Sequence, residues 1–98
     1  MTQHNPKEPY YFLEWILEPD DLDSITLYVE HGCPPGGFLS AVLANDFMEA
    51  VGRADSQNIH RLAAWAAYVY NEIPSSCHGS YEAVRAWTEQ HARKEQPQ

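Results

Sequence analysis

Residues 27–55, LYVEHGCPPGGFLSAVLANDFMEAVGRAD, read as helix, rigid turn and helix, and the outline returns forty residues later. Tyr28-Val29 precedes Pro34 as Tyr68-Val69 precedes Pro74, and Gly37 leads Ala41-Val42 as Gly79 leads Ala83-Val84. A helix over residues 21–31 has Leu22, Ile25 and Val29 on one face, with Asp20 or Asp21 as cap. Gly32 stops it and Pro34-Pro35 prevents continuation. Gly36-Gly37 then lets the backbone turn back, with φ > 0 at glycine.

Around this centre the stripes continue. A second helix, from Phe38 to Val51, carries Leu39, Leu43, Phe47, Ala50 and Val51. Asn45 and Asp46 fall inside it, where short polar side chains are neutral to unfavourable. Asp55 or Ser56 caps a third helix, whose Ile59, Leu62, Ala66, Val69 and Ile73 make a 3-4-3-4 seam. Pro74 ends it, Ser80 caps a fourth helix, and Val84, Trp87 and His91 share that helix's inner face. The pattern predicts one all-α domain: four main helices as two antiparallel hairpins, with an N-terminal apolar segment. Its parts are a loose lead (1–9), the apolar segment (10–17), a helical core (20–93) and a frayed tail (94–98). The forty-residue echo reads either as a duplication or as convergence on good helix ends.

Residues 10–17, YYFLEWIL, are apolar except for Glu14. With no polar face they cannot be an exposed amphipathic helix. They form a short helix after Pro9 or an extended arm, and either needs cover on more than one side.

The net charge of −8 is unevenly placed. Glu8, Glu14, Glu18, Asp20, Asp21, Asp23, Glu30, Asp46 and Glu49 fall between residues 8 and 52 with no Lys or Arg among them. Beyond that point acids and bases balance. Such a face repels phosphate backbones and attracts basic protein surfaces, so direct nucleic-acid binding is not expected. The plainer use of an acidic surface is solubility. No apolar run is long enough to span a membrane, and the start MTQHNPKEP has no signal pattern, which together predict a cytoplasmic protein.

Chemistry has weak signals. His31 and Cys33 lie in one predicted loop, and Cys77 and His78 in the other. A zinc site joining them is geometrically conceivable, but His-x-Cys and adjacent Cys-His are not the usual knuckles. No metal or other cofactor is therefore expected. Cys77 beside His78 lacks a third group for nucleophilic catalysis, and Asp46 with His60 makes a poor acid/base pair, so no catalytic residue is assigned.

The central pattern is similar to a group of small phage and prophage proteins. The likeness is carried by Tyr28-Val29, Gly32, Pro35 to Leu39, Ala41 to Leu43, Asn45-Asp46, Ala50, Arg53 to Asp55, Asn58, Tyr68, Tyr70 to Glu72, Pro74, Gly79-Ser80, Val84 and Trp87. It spans about residues 22–88 and brings no activity with it. It implies a phage-encoded accessory protein that binds a host protein. The sharpest form of that expectation is an anti-defence, anti-CRISPR-like inhibitor occupying a basic surface of a host nucleoprotein complex in the host cytoplasm. Glu14, Glu18, Asp20, Asp21 and Asp23 would supply the charge, and Tyr10, Tyr11, Phe12 and Trp15 the aromatic anchors. The alternatives are a homo-oligomer subunit using residues 10–17 as its interface, and a small-ligand or metal module at the two loops.

Overall fold

Tyr10 to Leu17 settles into neither of the two forms its sequence offered. In a computed structural model describing residues 4–95, Tyr10–Phe12 (β1) and Trp15–Leu17 (β2) pair as an antiparallel hairpin. The all-α domain of two helical hairpins is therefore corrected: the protein is mainly helical but carries a two-stranded sheet. Aromatic and β-branched residues suit a pleated, half-buried surface. The register pairs Tyr10 with Leu17, Tyr11 with Ile16 and Phe12 with Trp15. Period two then sends the first and third pairs inward and Tyr11 with Ile16 outward. The two-residue turn holds Leu13 at φ 56. An isolated hairpin of this size is marginal; this one is held by packing on the fourth helix of the chain.

Helix α1 (Pro19–His31) opens with proline at its first position. The Asp21 carboxylate accepts the Glu18 N–H at 2.9 Å. Leu22, Ile25 and Tyr28 are buried. The helix ends at Gly32 with φ 70; the Gly32 N–H donates to the Tyr28 carbonyl, and the Cys33 N–H reaches that of Leu27. A Cβ at Gly32 would also collide with His91. The φ > 0 expected at Gly36-Gly37 is found at Gly32 instead; Gly36 is extended, with φ −66.

The helix expected over 38–51 is two: α2 (Gly37–Leu43) and α3 (Phe47–Arg53). Asn45 takes φ 63 between them, a conformation asparagine tolerates better than most residues. Asp46 then caps α3 by accepting the Glu49 N–H at 3.3 Å. The pair that looked awkward inside a helix is the stop and the start of two.

Asp55 accepts the N–H groups of Gln57 and Asn58 and launches a 3₁₀ turn, Asn58–Arg61, before α4 (Leu62–Glu72). A turn of three residues instead of 3.6 puts Ile59 out of phase with the helix it leads into. The expected seam holds at its C-terminal end, where Val69 and Ile73 are buried; Ile59 and Ala66 are exposed and Leu62 is half-buried, while Ala64, Trp65 and Tyr68 fill the core. A second 3₁₀ turn, Ser75–Cys77, leads to α5 (Tyr81–Glu95), whose N-terminus Ser80 caps through the Ala83 N–H.

α5 closes the molecule. Trp87 Nε1 donates to the Tyr28 carbonyl at 2.9 Å, and the Gly79 N–H donates to the Leu43 carbonyl at 2.7 Å. The Tyr28 hydroxyl donates to the Cys77 carbonyl at 2.7 Å. α5 packs on α1 and α2, while α2 and the hairpin meet α4. The core is Leu17, Leu22, Ile25, Tyr28, Leu43, Trp65, Tyr68 and their neighbours. The expected loose lead is fastened at His4, whose ring meets Tyr10 and Tyr68 edge-on; residues 1–3 lie outside the described residues. At the other end α5 runs on to Glu95, and residues 96–98 lie outside them too.

Candidate protein-binding surface

The hairpin divides the predicted aromatic anchors. Tyr10 and Phe12 turn inward, Tyr10 standing edge-on to Tyr68 at 4.9 Å between ring centres. Burial, followed by the nearby Glu72 charge, raises the pKa of the Tyr10 hydroxyl, and burial above all pushes that of Tyr68 up to about 12. Tyr11 turns outward and is 66 % exposed, Leu13 at the tip is 84 % exposed, and Ile16 joins them. Leu13 and Ile16 were not among the predicted anchors. Strand alternation, applied to residues 10–17, would have grouped Ile16 with Tyr11.

The acids divide as well. Glu14, Glu18, Asp20 and Asp23 are exposed. Trp15 is half-buried in the wall of an open cleft that also takes in Glu18, Asp20, Gln57 and His60. Asp21 is committed inside the fold, because Arg61 grips it with two N–H groups at 2.6 and 3.2 Å. Arg61 also donates to the Asn58 side-chain oxygen, which accepts Trp65 Nε1 at 2.9 Å. Burial raises the Asp21 pKa, but hydrogen bonds from Arg61 and the Glu18 N–H, with the Arg61 charge, outweigh it and hold the carboxyl below its ordinary value. Asp21 thus ties α1 to the start of α4 and contributes little outward field.

A second apolar surface has no counterpart in the sequence pattern. A groove of about 360 Å³ runs between α2, α3 and α4, walled by Val42, Asn45 and Phe47 and floored by Ala50, Ala63 and Ala66. It continues past Ala67 toward Phe12, Tyr70 and His78. Phe47 and Val51 were expected in the core stripe of one long helix. Splitting that helix at Asn45 leaves both exposed, with Met48 at 78 % exposure beside them. Asp46, at the groove's edge, accepts the Tyr81 hydroxyl at 2.8 Å.

The four loop residues considered for metal do not come together. Cys33 is exposed and Cys77 buried, both as free thiols. Among the described residues no three His, Cys, Asp or Glu side chains are grouped so as to hold a metal ion. Burial pushes the Cys77 thiol up to about 11, far from the thiolate a nucleophile needs. Asp46 and His60 line different clefts. No helix among the described residues is long and apolar enough to cross a membrane. Comparison of the chain with protein-family models, curated proteins and solved structures gives no match, so the likeness to phage proteins rests on the sequence pattern alone.

Proposed function

We propose that the chain is a non-catalytic, phage-type accessory protein that binds a host protein carrying a basic surface. The observation that supports this reading is the two-faced hairpin. One face is part of the core, and the other offers Tyr11, Leu13 and Ile16 to solvent beside Glu14, Glu18 and Asp20. Aromatic and aliphatic anchors ringed by like charge suit a partner whose cations surround an apolar spot. A host nucleoprotein complex, basic where it holds nucleic acid, has that character, and its inhibition is the sharpest version of the proposal. Steering falls to Glu14, Glu18 and Asp20, since Asp21 is neutralised by Arg61.

The test is affinity capture from host lysate at low and moderate salt, followed by binding kinetics on the captured protein. Reversing Glu14, Glu18 and Asp20 to Lys should slow association, because peripheral charges act mainly on the on-rate. Tyr11→Ala should speed dissociation, because buried anchors set the lifetime of a complex. A partner held equally well at high salt, and indifferent to both variants, sinks the proposal.

A further inference from the structure

We infer that the groove between α2, α3 and α4 receives a second copy of this chain, in a two-fold dimer where each copy's Phe47 enters the other's groove. The two complementary shapes lie side by side on one face. α3 buries only Ala50 and projects Phe47, Met48 and Val51 into solvent. Immediately next to them, Ala63 and Ala66 leave a small-residue floor. A two-fold contact uses the same patch on both subunits, so a protrusion adjoining a matching hollow is the arrangement it requires.

Charge selects the occupant. A chain of net charge −8 repels its own copy wherever carboxylates face outward. The hairpin and α1 present Glu14, Glu18, Asp20 and Asp23, and a basic partner is drawn there. The groove has one carboxylate in its lining, Asp46, with one oxygen on the Glu49 N–H and the other on the Tyr81 hydroxyl. The charges α3 carries, Glu49 and Arg53, pair with each other. This face has apolar area and almost no net charge, so it suits a like-charged copy better than a basic protein.

Sedimentation of the full chain over a concentration series, at low and moderate salt, tests the inference. The expected species has twice the 11.2 kDa chain mass and is more populated at moderate salt, where repulsion between acidic copies is screened. Phe47→Ser and Ala66→Glu, both at exposed positions, should each weaken it about tenfold or more while leaving the circular dichroism spectrum intact. Glu18→Lys with Asp20→Lys should leave the dimer in place, so failure of the basic-partner reading and failure of the dimer are read separately. A monomer at every concentration overturns the inference. So does a dimer that ignores both groove substitutions, or one broken by Tyr11→Ser instead.

Discussion

The hairpin and α3 are both short and both rich in apolar residues, yet they end in opposite conditions. The hairpin lays Tyr10, Phe12, Trp15 and Leu17 against the core and keeps two side chains and its tip outside. α3 lays down one alanine and leaves three large apolar side chains in water. Residue type alone does not decide this. The hairpin's period of two puts one side of both strands against α4 and the core, whereas the Asn45 break leaves the large residues of α3 outside it. Apolar surface left over in this way is where association is expected.

The hairpin and α3 should differ most where the hairpin docks on Tyr68. Tyr68→Ala should cost about 3–5 kcal/mol, the range for deleting a buried aromatic ring. Met48→Ser on α3 should stay within about 0.5 kcal/mol. Urea titrations of the two variants read both values. Similar losses would mean that α3 is as much part of the core as the hairpin's seat.

Gly32→Ala comes next. The left-handed conformation costs a residue with a Cβ about 1–2 kcal/mol, and the collision with His91 adds to it. Gly36→Ala, where a Cβ meets nothing, should be close to neutral. Thermal melts of the pair locate the strict turn at the end of α1, not in the Pro-Gly stretch after it.

A smaller effect separates the acids that hold the fold from those that face out. Asp21→Asn should cost about 1–2 kcal/mol at neutral pH, between the ranges for exposed ion pairs and for hydrogen bonds to charged groups. Because the folded state lowers the Asp21 pKa below 3.8, this stabilisation is present above that value. It is lost as the pH falls through the lower folded value, so the gap between wild type and variant should close in acid. Asp20→Asn, at an exposed position, should change stability by no more than about 0.5 kcal/mol at neutral pH.

Much of the architecture was legible because it is written in local signals. The stops at Gly32 and Pro74, the cap at Ser80 and the inner face of α5 all appear where spacing and end chemistry put them. What failed depended on contacts distant in sequence or on competing local readings. Asn45-Asp46 looked only unfavourable inside a helix because the continuous apolar stripe argued for one; Asn45 at φ 63 and the Asp46 cap make it the break. The Asn58–Arg61 turn put Ile59 out of phase with α4, while Val69 and Ile73 kept the burial that the spacing predicted. Asp21 looked like a surface acid until Arg61, forty positions away, was brought to it. The forty-residue echo has a physical counterpart in Tyr28 and Tyr68, both buried. Their partners differ, however: a hydroxyl on the Cys77 carbonyl in one case, ring edges of His4 and Tyr10 in the other.

The hairpin has one face built into the core and one left to solvent, and a paired melting experiment separates them. Leu17 is fully buried and Tyr11 mostly exposed, on opposite faces of the same sheet. Leu17→Ala should lower stability by about 2–5 kcal/mol, while Tyr11→Ala should change it by no more than about 0.5 kcal/mol. Equal losses from the two, or none from either, would mean that the hairpin has no such division.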